Sequence, residues 1–293
     1  MIRSKLRCAC VLIFDFDVDP MTSEKLPISA FIICQDEEDY LANCIRSLVQ
    51  CKEIIIVDSG STDKTFELIR EFQAQGWPIR LLHQKWLGYT AQLQFAMDQC
   101  VEPWLLNIHS DERFDEDFRS ILPELLKAPE SVVAWRIPWR PYLVGLGYTP
   151  KYVCQKSFPR LVRRGKGAYD MTQPVHAGIV PAGKAKETPR GSILHFRPLP
   201  IEEQMLRENK YSTLKAQQVL DTGQKPRLMR LIFNPVGYFF RNYFYHRLIF
   251  CGFPGFIHAA TSSVYSFLTE AKIYQRHAQA RRPSVDDLDG EKW

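Results

Sequence analysis

The chain lacks several features that would assign it quickly to a class. Its eight cysteines are scattered, with no Cys-x-x-Cys pair and no regular framework. Cys34, Cys44 and Cys100 fall inside apolar strand or helix patterns, so the spacing argues against a disulfide scaffold or zinc ribbon and for reduced, buried thiols in a cytosolic setting. A clean apolar run of about eighteen residues, the length needed to cross a bilayer, is also missing. The nearest candidate, 250–268, is interrupted by Gly252, Pro254, Gly255 and His258, so no spanning helix is expected. Cys8 to Phe14 is too short for a signal peptide and is followed at once by Asp15, Asp17 and Asp19, leaving Met21 as a candidate start. Charge of one sign is scarce too: 38 Lys and Arg against 33 Asp and Glu give a net charge of +5. That bias is too weak to imply nucleic acid, and no RNA-binding module is recognisable, so no nucleic-acid partner is expected. Internal repeats and low-complexity tracts are absent.

What is present is an alternation of strand and helix signals from Pro27 to about Pro138. Ile28 to Cys34 reads as a strand, and Leu41, Cys44, Ile45, Leu48 and Val49 then follow helical spacing. Ile54 to Val57 is a β-branched run of the kind covered on both faces in a parallel sheet. A helix over 63–75, ended by Gly76 and Pro78, leads to a third strand over 79–83. Leu93, Ala96, Met97 and Cys100 mark another helix, and Trp104 to Ile108 a fourth strand. Strand ends recur roughly every 25 residues, the spacing of βαβ units with right-handed crossovers. After Trp139 the chain becomes rich in proline, glycine, aromatic and basic residues, a helix follows over 201–220, and Arg227 to Tyr274 combines aromatic with basic side chains. The expected organisation is an unordered 1–26, an α/β domain over 27–200, a helical aromatic and basic extension over 201–277, and a frayed 278–293.

Two strand ends carry carboxylates. Asp58 ends the Ile54–Val57 strand, Gly60 permits a tight turn, and Thr62 or Asp63 can cap the next helix. Asp111 and Glu112 end the strand at Trp104–Ile108. Ligands of open α/β sheets bind at this edge. Adjacent carboxylates there are costly unless solvated or neutralised, and an oxygen-ligated Mg²⁺ or Mn²⁺ holding a diphosphate is the natural partner. A helix cap at Asp58 and a solvated loop at Asp111 are the plain alternatives.

The motifs Ser29-Ala30-Phe31-Ile32-Ile33-Cys34 with Asp36-Glu37-Glu38, Ile55-Ile56-Val57-Asp58-Ser59-Gly60-Ser61-Thr62-Asp63 and Ser110-Asp111-Glu112 resemble those of inverting family-two glycosyltransferases with the GT-A fold. Pro159-Arg160-Leu161-Val162-Arg163-Arg164-Gly165, Pro174-Val175-His176, Leu194-His195-Phe196 and the Phe240–Phe256 tail extend the resemblance to the lipopolysaccharide core β-1,4-glucosyltransferases, over roughly residues 27–275. The resemblance implies a GT-A sheet, mainly parallel and Rossmann-like, followed by a C-terminal helical extension. It implies transfer of a hexose, glucose from UDP-glucose, to a lipid-linked saccharide such as lipopolysaccharide inner core at the inner face of the cytoplasmic membrane. It places Glu37, Asp58, Ser61 and Asp63 at the nucleotide sugar, Asp111 at a Mg²⁺ or Mn²⁺ ion, and Glu112 beside the donor sugar. His176 is then the nearest candidate base, His195 a further metal or phosphate ligand, and Arg160, Arg163 and Arg164 candidates for phosphates or an anionic acceptor.

Three positions depart from the family pattern: His109 stands first in the Asp-x-Asp signature, Ala177 follows Val175-His176 where a glutamate is usual, and Gln92-Leu93-Gln94 replaces a Lys-Asn pair. They leave open an enzyme with altered donor or metal use, or a catalytically silent relative that binds a sugar nucleotide and acts as a scaffold. A nucleotidyltransferase shares a similar sheet, but no Gly-rich phosphate loop stands near residue 36 to support it. Basic and aromatic residues interleaved over Arg227–Arg247 fit a surface resting on anionic membrane lipid, or equally an aromatic helix pair packed on the sheet.

Overall fold

The structure is a computed structural model that describes residues 20–21, 23–153, 156–172, 178–223 and 225–279; the expectations for 1–19 and 280–293 lie outside the described residues. The chain forms two compact units, one of 1–136 with 159–186, the other of 137–158 with 187–293.

In the first unit β1 (Leu26–Cys34), α1 (Leu41–Arg46), β2 (Cys51–Asp58), α2 (Thr65–Ala74), β3 (Ile79–His83), α3 (Tyr89–Asp98) and β4 (Trp104–Asn107) follow in the expected alternation. Next come β5 (Glu112–Phe114), α4 (Glu116–Leu126) and β6 (Val132–Leu143), which runs on into the second unit, then β7 (Gly147–Tyr148) of that unit. β8 (Lys156–Arg163), β9 (Gly167–Tyr169), β10 (Ile179–Pro181) and β11 (Lys184–Glu187) lead back through the first unit. The sheet runs β3-β2-β1-β4-β8, its first four strands mutually parallel and β8 antiparallel to β4. Ile54 to Val57 are fully buried, as a strand sandwiched between helices requires. Phe31, Ile55, Val57 and Leu105 share one core with Leu93, Ala96 and Met97 of α3 and with Val162.

The registers decide where function can sit. Cys34 pairs with Asp58, Asp58 with His83, and Phe31 with Asn107. β1 is therefore flanked by the carboxyl ends of β2 and β4, about 10 Å apart at two strand spacings. The two acidic strand ends lie on one edge.

In the second unit β12 (Ile193–His195) pairs in parallel with β6, Ile193 opposite Trp139. Three helices follow, α5 (Ile201–Asp221), α6 (Leu228–Phe240) and α7 (Gly252–Gln279). A π-helical turn over Arg241–Tyr245 and a 3₁₀ turn over Leu248–Cys251 join α6 to α7, with Arg247 between them in the left-handed region at φ 61°. Leu143, Val153, Leu248, Cys251 and Ala259 form a small core with Phe239 and Tyr243. The turn reverses tightly: a Cβ on Gly255 would lie 2.1 Å from the Leu248 carbonyl oxygen, so only glycine fits. α7 is tied to α5 by polar contacts, Lys272 donating to the Asn209 carbonyl and to the Ser212 and Thr213 hydroxyls at 2.6–2.8 Å. With the preceding 3₁₀ turn it makes a stretch, Leu248–Gln279, that is long enough to cross a bilayer and contains an eighteen-residue window of mean hydropathy 1.2. The sequence reading expected no such helix, because Pro254 and the glycines interrupt the apolar run; here they lie in the first helical turn, where a proline is tolerated.

Candidate active site

The edge at β1, β2 and β4 is built from interlocking turns. Asp58 is only 4% exposed, and its carboxylate accepts from Gly60 N–H at 2.9 Å, from Ser61 N–H at 3.2 Å and from the Ser61 hydroxyl. His83 Nδ1 lies 3.4 Å away, and the Cys34 thiol 3.9 Å. A carboxylate offers about four lone-pair directions. Those of Asp58 are taken by its own surroundings, so its first role is to shape the turn at Gly60, whose φ of 104° suits glycine.

The loop after β1 is stitched to the loop after β2. Asp36, in the left-handed region at φ 55°, accepts from Thr62 N–H at 2.7 Å and Asp63 N–H at 3.3 Å, and its own N–H donates to Ser61 Oγ at 3.0 Å. Glu37 N–H donates to Thr65 Oγ1 at 2.8 Å, and Glu38 N–H to Asp63 Oδ2 at 3.1 Å. Burial pushes the Asp63 carboxyl up, but hydrogen bonds from Thr65 and from the Glu38 amide outweigh it and hold its pKa below the ordinary value.

At the end of β4, Glu112 is 3% exposed and meets Arg160 of β8 at 3.0 Å. Its other oxygen accepts from His109 N–H at 3.0 Å. Arg160 also donates to Asn107 Oδ1 and approaches His109 Nε2 at 3.1 Å, as does the Tyr89 hydroxyl. A guanidinium can only donate. His109 Nε2 must therefore accept, which puts the ring proton on Nδ1, 3.6 Å from Glu112. His109 is thus a neutral positioning group with its lone pair occupied. Two buried thiols report the shared field: Cys34 is pushed up by burial and by Asp58, Glu37 and Asp63, and Cys44 by burial and by Glu112, Asp111 and Glu37. Carboxylates from both strand ends converge on one rim.

The remaining sequence candidates fall as follows. Asp111 is partly exposed on the rim. Arg163 donates to the Val132 and Ala128 carbonyls at 3.0 and 2.6 Å and stacks over Trp104, while Arg164 is exposed. His195 belongs to the second unit, its ring 4.9 Å from Trp139. His176 and Ala177 lie outside the described residues. Among the described residues, no three His, Cys, Asp or Glu side chains cluster as a ready-made metal cage. Asp111, partly exposed on the rim, carries a hard oxygen of the type that Mg²⁺ or Mn²⁺ takes where one carboxylate and substrate phosphates complete the shell.

Sequence reasoning gave no role to Tyr89 or Asn107, and read Gln92 only as part of a departure from the family pattern. Gln92 is fully buried, donates to Ser59 Oγ and the Gln84 carbonyl at 3.1 Å, and accepts from Leu87 N–H at 3.2 Å. It holds the loop before α3 against the Asp58 turn. A polar residue on the apolar face of a helical pattern was the available signal.

Residues 29–171 match the model of glycosyl transferase family 2. The lipopolysaccharide core biosynthesis glycosyltransferase LpsC of Rhizobium meliloti (strain 1021) is 56% identical over 90% of this chain and 97% of its own length. The chain belongs to glycosyl transferase family 2. An uncharacterised glycosyltransferase of Rickettsia bellii (strain RML369-C) is 25% identical over 86% of this chain and 87% of its own length. Among solved structures, S. aureus TarS 1-349 in complex with UDP matches with a TM-score of 0.44 at 11% identity, covering 91% of this chain and 95% of that one. The mannosyltransferase PcManGT from Pyrobaculum calidifontis, in complex with GDP-Man and Mn²⁺, matches with a TM-score of 0.46 at 14% identity, over 94% and 81% of the two chains. Family membership and the mainly parallel sheet with C-terminal helices make this a GT-A type α/β glycosyltransferase, as the motifs implied.

Proposed function

We propose that this glycosyltransferase transfers glucose from UDP-glucose, with inversion, to a lipid-linked saccharide of the lipopolysaccharide inner core. The observation that carries the reading is the single rim gathering Glu37, Asp58, Asp63, Asp111 and Glu112 at the carboxyl edge of the sheet. The 56% identical relative named for lipopolysaccharide core biosynthesis supports the acceptor class. In this reading the turn organised by Asp58, with Glu37, Ser61 and Asp63, seats the nucleoside. Asp111 holds Mg²⁺ or Mn²⁺, which when bound offsets the charge developing on the departing diphosphate. Glu112, fixed by Arg160 and His109, faces the donor sugar through a rigid backbone turn. His176 takes the proton of the attacking acceptor hydroxyl. Arg164 is exposed, but its N–H donates to the Pro103 carbonyl at 2.9 Å, at the amino end of β4 and away from the carboxylate rim, so any anion it meets is not the donor diphosphate.

The protein acts as a peripheral enzyme on the inner face of the cytoplasmic membrane. From Thr222 to Thr269 the sequence contains no Asp or Glu, yet it holds Lys225, Arg227, Arg230, Arg241 and Arg247. Phe233, Phe240, Phe244, Tyr245 and Phe250 of the same segment are exposed, and Phe253 is 85% exposed. Each basic residue near an anionic leaflet contributes about 1 kcal/mol. The polar anchoring of α7 to α5 favours a helix lying against its neighbours over one that spans.

The test is release of UDP from UDP-glucose with Mg²⁺ or Mn²⁺ and a deep-rough lipopolysaccharide acceptor, beside UDP-galactose, UDP-GlcNAc and GDP-mannose. Asp58→Ala is expected to weaken donor binding at least tenfold, and Asp111→Ala to abolish turnover while retaining the fold. Wild-type turnover in both variants, or no release from any sugar nucleotide, refutes the reading.

A further inference from the structure

The second unit contains a cavity of about 50 Å³ that the sugar-transfer chemistry of the first unit does not use. Its polar lining comes from Lys156 of β8, Tyr238 of α6, Asn242 and His246 of the connecting turns, and His258 and Ser262 of α7. No carboxylate is among these residues. Arg241, over the Tyr238 ring at 4.3 Å, adds a further positive charge beside them.

These groups are poised to donate. Asn242 is 7% exposed, and neither its amide nor the rings of His246 and His258 make a side-chain hydrogen bond among the described residues. Lys156 has no carboxylate partner among them either. Polar atoms that line a cavity without a protein partner suit a polar guest able to bond to them. Burial, Lys156 and His195 lower the His258 pKa to about 4, and burial, Lys156 and Arg241 lower that of His246. Both rings are thus neutral when the cavity holds no anion, in a field that favours negative charge.

We propose that this cavity binds a tetrahedral oxyanion of the phosphoryl class, with Lys156 supplying charge and Asn242, His246 and His258 supplying hydrogen bonds. Its volume accommodates one such group, the rest of the molecule that carries it remaining outside. The site goes beyond the donor reaction, since all its residues lie in the second unit and none belongs to the carboxylate rim. Two sources offer the same chemistry: the phosphate of a membrane lipid, and a phosphate on a saccharide acceptor.

The experiment is isothermal titration of the full chain with inorganic phosphate, matched for ionic strength with chloride, for wild type, Lys156→Gln and His258→Gln. Wild type is expected to bind phosphate saturably, with affinity lowered at least tenfold in Lys156→Gln. Phosphate should also protect His246 and His258 from diethyl pyrocarbonate in wild type, a readout that stands if a variant folds poorly. Competition by short-chain phosphatidylglycerol places a lipid in the site, whereas competition by a hexose phosphate places the acceptor there. UDP affinity stays unchanged in Lys156→Gln, which separates this site from the donor pocket. Absence of saturable phosphate binding and protection in wild type overturns the proposal, as does wild-type affinity in both variants.

Discussion

The buried pair of Arg160 and Glu112 offers the sharpest test of how the rim is held. The two charges stand 3.0 Å apart, with side chains 9% and 1% exposed. At an effective dielectric near 20 their gross attraction is about 5 kcal/mol, most of it offset by the desolvation of both ions. Arg160→Met removes one charge and leaves Glu112 buried, with the His109 amide still donating to it. It also removes the donor to Asn107 Oδ1 and one of the two donors to His109 Nε2, leaving the Tyr89 hydroxyl. Loss of one partner of a buried pair costs about 3–5 kcal/mol, or a fall in Tm on the order of 10 °C for a chain of this size. Adding Glu112→Gln removes the stranded charge and should restore about half of the loss. The assay is a double-mutant cycle by thermal or urea unfolding, with Arg163→Met as a control that retains the rim pair. If Arg160→Met costs less than about 1 kcal/mol, or if the two changes add within about 0.5 kcal/mol, Arg160 is a solvated residue of a basic hairpin and the rim does not depend on it.

Other outcomes follow from the second unit. Gly255→Ala drives a methyl to 2.1 Å from the Leu248 oxygen and 2.8 Å from Cys251 Cβ, so it should destabilise by about 2–3 kcal/mol, read as a lowered Tm, while Gly178→Ala, with open space at its Cβ, should be neutral. His258, with its pKa lowered from 6.5 to about 4, takes up its proton more readily in the unfolded chain. Stability should therefore fall as pH drops from 6.5 towards 4, by at most about 3 kcal/mol, and the slope should flatten in His258→Gln measured over the same range. Phe250→Ser with Phe253→Ser removes two exposed rings and should lower partition onto phosphatidylglycerol vesicles at least tenfold in flotation assays; unchanged partition would sink the membrane reading.

The sheet was legible because its strands follow simple patterns. Ile79–His83 was read with its observed bounds, and the β-branched run at Ile54–Val57 sits inside β2 as a strand covered on both faces should. Asp58 and Asp111 could be placed on one edge from strand alternation alone, since parallel βαβ units align carboxyl ends. What escaped was long-range pairing. Arg160 is 48 residues from Glu112, and no local period announces that β8 returns antiparallel to β4 and delivers a guanidinium beneath the rim. The inward aim of Asp58 was equally hidden, because a carboxylate after a strand reads the same whether it meets a ligand or caps its own turn. In the tail, the acid-free composition was visible, but the cavity beside His258 depends on a π turn and a 3₁₀ turn that no propensity pattern marks.

The two sulfurs under the rim, Cys34 and Cys44, carry a consequence for how the enzyme meets reactive chemistry. Surrounded by negative charge and shut away from water, both remain thiols at any physiological pH. Peroxide, alkylating drugs and disulfide exchange all require the thiolate, so none reacts readily with these two thiols under the carboxylate rim. These two sulfurs are therefore poor targets for oxidants and for sulfur-directed covalent reagents.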